Sequence, residues 1–460
     1  MKSIRINSKY VERGDIFVAI PCDDVEEHIS EALARGAALV FAEDSENERV
    51  TNVHDARLFA SRLARFAYDK QPDVCIALTG TNGKSSTAHF LRQIWSISGK
   101  NAANLGTLGL FNDAGKIAPP DIDIPNLTTP DAITLHRIME YLQTNGTTHF
   151  VFEASSHALE QKRLHSAELT AAGITNFASD HLDYHKTREA YLRAKLRLFD
   201  EILPTDKPIA VSRDYAEIYE AISRVNKNII SFGTETGNFL TAENIQEFPE
   251  KLVFDLRCDG TLFNGVEIGL FGKFQVMNIL CAAALALASE MKIEDIIGTF
   301  SKITALEGRM EHICSVNGGN VYVDFAHTSE GLCNALGCFR RVCGGRLICV
   351  FGCGGDRDKS KRPEMGRIAA GIADVVIVTD DNPRGEAPEE IRRQILTGCP
   401  NAIEIGNRRE AIIRAMSLIQ PGDFVVIAGK GHENYQIYGN EITHFSDREE
   451  ISEAQAKMSV

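Results

Sequence analysis

The sequence predicts an α/β protein with three domains built on mainly parallel sheets, and three observations support that class. The chain has 460 residues, which at about 150 residues per domain corresponds to about three domains. Short apolar or β-branched runs alternate with longer helical patterns, as in domains whose parallel strands are joined by helices. Polar, glycine-rich segments follow several of these runs, at the strand ends where open α/β sheets bind ligands.

The predicted elements fall into three blocks, which we take as domains 1-72, 73-304 and 305-460. In the first block the pattern predicts, in order, a strand at 15–20, a helix at 30–35, a strand at 38–42 and a helical stretch that ends at Tyr68. In the second it predicts strands at 74–79, 148–152, 171–177 and 208–211, a segment rich in β and turn signals at 229–272, and a helix at 275–289. In the third it predicts strands at 321–325, 347–351, 375–379 and 424–428.

The composition limits the classes of partner. Lysine and arginine number 49 against 63 aspartates and glutamates, a net charge of -14, which disfavours nucleic acid and anionic membrane surfaces as partners. The longest apolar stretch, Ile279 to Ala288, is shorter than the roughly 18 residues of a membrane span. The N-terminal residues do not resemble a secretory signal. We therefore expect a cytoplasmic protein without a membrane span.

The 11 cysteines are expected to be reduced thiols, since the sequence shows no export signal. Five of them cluster in the third block but include no C-x-x-C pair, so that core packing is favoured over a zinc site. They are Cys333, Cys338, Cys343, Cys349 and Cys353.

A candidate phosphate-binding loop, Gly80 to Ser86, follows a predicted strand and opens a helix. Backbone N–H groups at the start of that helix could bind phosphate, Lys84 could reach the terminal phosphates, and Ser85 could hold magnesium. The full G-x-x-x-x-G-K-[ST] pattern is not met, because Leu78 stands where its first glycine belongs. The alternative is a glycine-rich turn with an exposed lysine.

A candidate cation site is predicted beside this loop. Glu153 ends one strand, and Asp180-His-Leu-Asp-Tyr-His185 follows the next. Adjacent strand ends could bring Glu153 and His181 onto one cation, and oxygen ligands suit magnesium. Taken alone, His181 would more often be a helix-start or core histidine.

Six motifs together resemble the Mur ligases, the ATP-dependent amide-forming enzymes of peptidoglycan precursor synthesis. They are Gly80-Thr-Asn-Gly-Lys-Ser-Ser86, Glu153-Ala-Ser-Ser-His157, Asp180-His-Leu-Asp-Tyr-His185, Ala194-Lys-Leu-Arg-Leu-Phe199, Gly308-Arg-Met-Glu311 and Asp324-Phe-Ala-His-Thr328. The resemblance covers nearly the whole chain. It implies a central P-loop ATPase-like parallel sheet, a flanking N-terminal α/β domain that binds the uridine side of a UDP-sugar, and a C-terminal Rossmann-like domain that binds an amino acid.

The resemblance also implies the nucleotide and metal contacts. ATP would be bound by the loop and by three residues further along: Gly80, Thr81, Asn82, Gly83, Lys84, Ser85, Ser86, Asn278, Arg309 and Asp324. Mg²⁺ would be held by Ser85, Glu153, His181 and Lys195, the last carbamylated to N6-carboxylysine. Lys84, Glu153, His181 and Lys195 would thus be the catalytic residues. Without the resemblance, Lys195 would be taken as a surface lysine on a helix.

The UDP-muramoyl dipeptide would be bound by residues of the first two blocks: Ser8, Thr128, Thr129, Ser155, Gln161 and Arg163. The first block departs most from the family pattern. Its loop Pro21-Cys-Asp-Asp-Val-Glu-Glu-His28 is acidic where relatives usually have a glycine-containing segment. Carboxylates there would repel a diphosphate. Uridine recognition is therefore expected to be altered or to depend mainly on residues of the second block.

Asp381-Asn-Pro-Arg384 resembles the signature of the branch that adds meso-diaminopimelate to UDP-N-acetylmuramoyl-L-alanyl-D-glutamate. The amino acid would be bound by Arg357, Asp381, Asn382, Pro383, Arg384, Gly429 and Glu433. The chemistry of the amino acid agrees with this assignment. Diaminopimelate has two carboxylates and two ammonium groups, so its site should offer guanidinium groups for the carboxylates and an acid for the distal ammonium. The alternatives are a simple Asn-Pro turn, a lysine-adding or folylpolyglutamate-type ligase of the same superfamily, or a non-catalytic nucleotide-binding regulator. We expect a monomer that handles small molecules only.

Overall fold

The computed structural model describes residues 3–178, 182–225 and 228–458, and it divides the chain into two compact units. Unit 1 comprises Met1–Glu243, Asp255–Val266 and Val276–Lys302. Unit 2 comprises Asn244–Phe254, Glu267–Gln275 and Ile303–Val460. The α/β class is confirmed, whereas the division into domains 1-72, 73-304 and 305-460 stays a prediction.

The first sheet of unit 1 is small and parallel. Its strands, in sheet order, are β1 (Ile4–Arg5), β2 (Ile16–Val18), β3 (Leu39–Ala42) and β4 (Thr51–Asn52), and its helices are α1 (Val25–Ala34) and α2 (Ala56–Ala67). Successive side chains of β2 point to opposite faces, so that Phe17 packs with the residues of α1 and Val18 with those of α2. The predicted helix begins earlier than expected, at Val25, with Glu26 and Glu27 in its first turn, where carboxylates favour the positive helix end.

The large sheet of unit 1 has a parallel centre. The strands of this part are β5 (Val74–Thr79), β6 (Ala102–Gly106), β7 (Gly109–Asn112), β8 (Gly115–Ile117), β9 (His149–Glu153), β10 (Ala171–Ile174), β11 (Ile209–Ser212) and β12 (Ile229–Gly233). They run in the order β12-β11-β10-β5-β9-β6-β7-β8, with β7 and β8 antiparallel. The central strands are continuously apolar and buried, as expected of parallel strands covered on both faces.

Helices connect these strands. They are α3 (Lys84–Ile97), α4 (Ala132–Thr144), α5 (Ser156–Glu160), α6 (Leu182–His185), α7 (Arg188–Arg197) and α8 (Ala216–Val225), with a π-helical turn at Leu198–Ile202 after α7. Then come β13 (Leu240–Glu247), β14 (Leu252–Cys258), β15 (Thr261–Ile268), α9 (Gln275–Ala288) and α10 (Ile293–Phe300). The register aligns Leu78 with Glu153 and Thr79 with Ile174. The carboxyl ends of β9, β5 and β10 therefore lie side by side.

The sheet of unit 2 has the order β16-β17-β21-β18-β19-β20, and only β16 is antiparallel to its neighbour. The strands of this unit are β16 (Glu311–Val316), β17 (Gly319–Asp324), β18 (Leu347–Phe351), β19 (Val375–Val378), β20 (Ile403–Glu404) and β21 (Phe424–Ala428), and a separate hairpin of β22 (Tyr435–Tyr438) and β23 (Glu441–His444). The helices are α11 (Ser329–Val342), α12 (Lys361–Ile372), α13 (Pro388–Leu396), α14 (Arg408–Ser417) and α15 (Asp447–Met458).

Buried apolar clusters cover both faces of this second sheet. Cys343, Cys349 and Cys353 belong to one of them, which confirms that these three cysteines pack in the core. Within the ranges that the structure describes, no helix is long and apolar enough to cross a membrane.

Candidate functional site

The predicted phosphate-binding loop lies between β5 and α3 in unit 1. Gly80 and Gly83 have φ angles of 140° and 80°, which L side chains rarely adopt. A Cβ at Gly80 would lie 1.9 Å from Thr175 Oγ1, and one at Gly83 would lie 2.3 Å from Asn278 Oδ1. Both positions therefore require glycine. The loop leads into the amino end of α3 at Lys84, where backbone N–H groups can bind an anion.

Two residues that follow β10 hold this loop from the side. The Thr175 hydroxyl donates to the Asn82 carbonyl over 2.6 Å. The Asn176 amide donates to the same carbonyl over 2.9 Å and accepts from the Asn82 N–H over 2.9 Å. The strand predicted for 171–177 ends at Ile174, because Thr175 and Asn176 bond to the loop and do not continue the sheet. Sequence reasoning missed both residues, since no local motif marks them.

Two lysines contact the carbonyl of Gly80. Lys84 Nζ donates to the carbonyl oxygens of Gly80 and Thr81, each over 2.9 Å. Lys195 Nζ donates to Gly80 over 2.8 Å and lies 4.3 Å from the centre of the Tyr191 ring. The side chain of Lys195 is buried, so that the alternative of a surface lysine is wrong. Its carbamylation stays a prediction.

Glu153 joins the loop to the neighbouring strand ends. Its Oε1 accepts a 2.7 Å hydrogen bond from the Ser85 hydroxyl and a 3.1 Å bond from the Thr107 N–H. A Cβ at Gly106 would lie 1.8 Å from the same oxygen, so that the close approach of the carboxylate requires glycine there. Of the predicted metal ligands, Ser85 and Glu153 are in contact, and His181 lies outside the described residues.

The residues predicted to bind the dipeptide form a connected network beside Glu153. Thr129 Oγ1 donates to the Glu153 carbonyl over 2.7 Å and accepts from the Ser155 N–H over 3.0 Å. Arg163 donates to the Thr129 carbonyl and to Gln161 Oε1, each over 2.6 Å. Next to the network, Thr128 Oγ1 lies 3.0 Å from the Thr107 hydroxyl. The structure thus brings together the predicted residues of the second block.

A cavity of about 590 Å³ adjoins this network. Its polar lining is rich in cationic side chains, which include Arg57, Arg137, Lys162 and Arg163. A second cavity, of about 410 Å³, is lined by Ser8, Arg57 and the loop after β2. Arg57, which sequence reasoning did not single out, lines both. Because both are concave and polar-rimmed with local positive charge, they can receive an anionic ligand.

Two residues predicted to contact the nucleotide lie in unit 2. Asp324 ends β17, and its carboxylate accepts 2.8 Å bonds from the N–H groups of Met310 and Ala326. Burial raises the pKa of Asp324 above its ordinary value. The Arg309 guanidinium lies 4.8 Å from the centre of the Phe325 ring. The Asp324 carboxylate therefore fixes two backbone segments, at Met310 and at Ala326. The contacts of Asp324 and Arg309 with the nucleotide stay predictions.

The acidic residues predicted to bind the amino acid surround a buried lysine. Lys430 Nζ lies 3.2 Å from Asn382 Oδ1, 3.4 Å from Glu433 Oε2 and 3.6 Å from Asp381 Oδ1. Asn382 Nδ2 donates to Glu433 Oε2 over 3.0 Å. A Cβ at Gly429 would lie 3.2 Å from Asp381 Oδ2. The Gly429-Lys-Gly-His-Glu motif marked this segment, but it did not reveal that Lys430 connects the other residues.

The side chains of the two predicted arginines, Arg357 and Arg384, both lie close to Gly354. A Cβ at Gly354 would lie 2.8 Å from Arg384 Nη1 and 3.8 Å from Arg357 Cγ. Arg384 Nη1 donates to the Gly355 carbonyl over 3.0 Å, and a Cβ at Gly355 would lie 1.8 Å from the Pro383 carbonyl oxygen. Within residues 3–178, 182–225 and 228–458, neither arginine forms an ion pair with a carboxylate. Both guanidinium groups can therefore pair with a ligand.

Arg384 adopts the left-handed region, with a φ of 51°. Its backbone is held on both sides, because its N–H donates to the Ile437 carbonyl over 3.1 Å and its carbonyl accepts from the Gly439 N–H over 2.7 Å. Such a conformation costs an ordinary residue about 1 kcal/mol or more. The hairpin of β22 and β23 thus fixes the direction in which the side chain leaves the backbone.

Comparisons with known proteins concern the family and the fold. Two family models match the chain, "Mur ligase middle domain" over residues 78–286 and "Mur ligase, glutamate ligase domain" over residues 308–431. A relative from Agrobacterium fabrum, named UDP-N-acetylmuramoyl-L-alanyl-D-glutamate–2,6-diaminopimelate ligase, is 41% identical over 99% of this chain and 93% of its own length.

Solved structures are similar over the same length. A structure of a UDP-N-acetylmuramoyl-L-alanyl-D-glutamate–2,6-diaminopimelate ligase has a TM-score of 0.76 and 32% identity, and it covers 100% of this chain and 96% of its own. A MurF ligase from Thermotoga maritima in complex with ADP has a TM-score of 0.62 at 17% identity, and it covers 99% of this chain and 97% of its own. The second likeness concerns the fold alone.

Proposed function

Because the chain belongs to the Mur ligase family, we propose that it joins meso-diaminopimelate to UDP-N-acetylmuramoyl-L-alanyl-D-glutamate while ATP is converted to ADP and phosphate. The name of the relative at 41% identity supports this activity. The observation that carries the choice of amino acid is Arg384, whose guanidinium faces Gly354 and pairs with no carboxylate of the described chain. A distal carboxylate on the incoming amino acid would supply the missing partner.

In the first step, the γ-carboxylate of the substrate's D-glutamate attacks the γ-phosphorus of ATP. The bond to the bridging oxygen breaks, ADP leaves, and an acyl phosphate forms. Lys84 and the N–H groups at the start of α3 would hold the phosphates and offset the charge that develops on them. Lys195, buried against the same loop, would act as its carbamate, a carboxylate that suits a metal ion beside the phosphates.

The residues present fit a magnesium ion. Ser85 and Glu153 offer oxygen ligands, the donor type that Mg²⁺ prefers, and they lie 2.7 Å apart beside the phosphate-binding loop. These two residues would hold the ion, together with His181 and carbamylated Lys195 where the family pattern applies. When bound, the ion would neutralise charge on the phosphate oxygens.

In the second step, the neutral amine of diaminopimelate attacks the carbonyl carbon of the acyl phosphate. The nitrogen loses a proton, the tetrahedral intermediate expels phosphate, and an amide remains. Arg357 and Arg384 would orient the carboxylates of the amino acid. Asp381 and Glu433 would receive its distal ammonium, with Asn382 and Lys430 fixing the positions of these two acids.

The remaining assignments follow the cavities. The network of Thr129, Ser155, Gln161 and Arg163 and the cavity of about 590 Å³ beside it would bind the muramoyl dipeptide, and the cavity of about 410 Å³ at Ser8 would bind the uridine side. Domains 1-72, 73-304 and 305-460 would then serve UDP-sugar, ATP and amino acid respectively. We place the reaction in the cytoplasm and expect a monomer to suffice.

The test measures phosphate release from ATP with UDP-N-acetylmuramoyl-L-alanyl-D-glutamate and one amino acid at a time. We expect turnover with meso-diaminopimelate that needs all three substrates, and at most weak turnover with L-lysine. Activity with L-lysine equal to or above that with meso-diaminopimelate would refute the choice of amino acid. ATP binding without any turnover would favour a regulator, and glutamylation of a folate would favour a folylpolyglutamate-type ligase.

A further inference from the structure

A cluster of three potential metal ligands lies in unit 1, on the loop that follows β2 and the start of α1. Cys22, Asp24 and His28 each offer one ligand atom, and the three atoms lie within 4.8 Å of one another. Cys22 and Asp24 are exposed and His28 is half-buried. None of the three is assigned above to a substrate by name, although Cys22 and His28 line the cavity of about 410 Å³ proposed for the uridine side.

Helix geometry brings two of the ligands together. Helix α1 begins at Val25, so that Asp24 and His28 lie one turn apart and face the same side. Asp24 occupies the N-cap position, yet its side chain makes no capping hydrogen bond. Its carboxylate lies instead 3.4 Å from His28 Nε2, at a point to which the neighbouring Cys22 thiol also extends.

A second, independent contact orients the imidazole. The Ser8 hydroxyl donates its single proton to Glu31 Oε2 over 2.6 Å and lies 3.2 Å from His28 Nδ1. Because that hydroxyl proton is already used, Ser8 can only accept from the imidazole, which places a proton on Nδ1. Nε2 then faces the Asp24 carboxylate over 3.4 Å, and that carboxylate also accepts a hydrogen bond from the Cys22 thiol. A divalent cation that displaces the thiol proton to solvent would be bound by all three groups.

We propose that Cys22, Asp24 and His28 bind a divalent transition-metal ion of the zinc class, through a thiolate sulfur, a carboxylate oxygen and an imidazole nitrogen. Mixed sulfur, nitrogen and oxygen donors suit Zn²⁺, whereas Mg²⁺ and Ca²⁺ prefer oxygen alone. The chain of Glu31, Ser8 and His28 is the kind of outer contact that orients a metal-bound histidine.

The geometry requires only a small closure. Ligand atoms around tetrahedral zinc lie about 3.5 Å apart, given bond lengths of about 2.0 to 2.3 Å. The Asp24 and His28 atoms already lie 3.4 Å apart, so that a movement of the Cys22 thiol by at most about 1 Å would complete the set. Cys22 and Asp24 are exposed and can rotate. Cys22 and His28 also line the cavity of about 410 Å³. Three protein ligands leave a fourth position for water or for a ligand in that cavity.

The acidic loop from Pro21 to His28, which the sequence indicated to be unsuited to a diphosphate, would thus bind a cation instead. Asp23, Glu26 and Glu27 are sequence neighbours of the cluster and add negative charge to this loop, which favours a cation there. The positive charge of the cavity that the loop borders comes from Lys9 and Arg57. The pattern C-x-D-x-x-x-H lacks the paired spacing of structural zinc sites, and it becomes a cluster only because the helix begins at Val25.

The test uses the full chain, stripped of metal and kept reduced. Titration with Co²⁺ is expected to give one site per chain with thiolate-to-cobalt charge-transfer absorption, and Zn²⁺ is expected to displace the Co²⁺. Cys22→Ser should abolish that absorption. His28→Gln and Ser8→Ala should each weaken Co²⁺ binding by about 10- to 100-fold. Asp24→Asn provides a fourth variant, should one of the others fail to fold.

The matched control is Cys333→Ser, which removes an exposed cysteine in unit 2 and should leave the absorption unchanged. Thermal unfolding without metal is measured for every variant to show that each is folded. Charge-transfer absorption that persists in Cys22→Ser would overturn the proposal. So would a titration with Co²⁺ that gives no such absorption, or His28 NMR signals that do not respond to Zn²⁺.

Discussion

Arg384→Ala is expected to impair use of meso-diaminopimelate without affecting ATP. The guanidinium of Arg384 donates to the Gly355 carbonyl over 3.0 Å and, at the limit of a hydrogen bond, to the Asn382 carbonyl over 3.5 Å. Both acceptors lie on loops, and most of the donor groups of the side chain remain available to a ligand. The substitution should therefore remove a ligand contact and disturb the fold only slightly.

The size of the effect follows from the kind of bond that is lost. A hydrogen bond to a charged group contributes about 1.5–3 kcal/mol, and each 1.4 kcal/mol is about tenfold in an equilibrium constant. Loss of the pair between Arg384 and a distal carboxylate should thus lower kcat/KM for meso-diaminopimelate by about 10- to 100-fold. L-lysine has no distal carboxylate, so its weak turnover should change by less than about threefold.

The assay measures phosphate release at varied concentrations of each substrate, with thermal unfolding as a check on folding. Arg367→Ala is the matched control, because Arg367 is an exposed arginine on α12 and should behave as the unmodified chain. An equal loss for meso-diaminopimelate and L-lysine would refute the reasoning, since it would mean that Arg384 does not contact the distal carboxylate. An increase in the KM for ATP alone would contradict it as well.

Three further substitutions test other contacts. Lys430→Met should lower the thermal stability of unit 2 and raise the KM for meso-diaminopimelate. The reason is that Glu433 and its neighbours lose a buried cation, a loss that costs about 3 kcal/mol of unfolding free energy. An unchanged KM for meso-diaminopimelate would refute the positioning role. Asp447→Asn should cost about 3–5 kcal/mol of unfolding free energy, because Arg408 pairs with it over 2.7 Å with both side chains fully buried; a loss in urea unfolding below about 1 kcal/mol would contradict this. Burial lowers the pKa of His136 from 6.5 to about 4, so the unfolded chain takes up a proton first and stability falls as the pH drops through this range. His136→Leu should remove about 2 kcal/mol of that loss at about pH 5, and an unchanged pH dependence of the thermal midpoint would refute the assignment.

The strands were the most predictable part of the fold, since a buried parallel strand is a short, continuous run of apolar residues. The run Val74–Thr79 agrees with β5 to the residue. The strand predicted for 171–177 ends at Ile174 instead. Thr175 has a high intrinsic preference for strands, but its hydroxyl bonds the Asn82 carbonyl of the phosphate-binding loop. That competing contact comes from another part of the chain, so no local pattern could show it.

The candidate site was predictable wherever a local motif carries the chemistry, as in the loop that ends in Lys84 and Ser85. Contacts across long stretches of sequence were not. Lys195 reaches the Gly80 carbonyl through the packing of α7, and local pattern alone would have left it on the surface. In the same way, the motif around Lys430 could be recognised. Its role at the centre of the acidic cluster depends on two loops, after β19 and after β21, that meet only in the folded chain.

Charge pairing separates the structural arginines of unit 2 from those that can bind a ligand. Arg362, Arg392 and Arg408 have buried side chains, and each forms an ion pair with a carboxylate: Glu386, Asp380 and Asp447 respectively. Arg384 is half-buried at the same edge of the sheet, yet within the described part of the chain it donates to backbone carbonyls alone. Screening limits the reach of exposed charges to about 8 Å at physiological salt. The net charge of -14 therefore does not prevent Arg384 from binding a carboxylate, because only charges close to its guanidinium group act on the ligand.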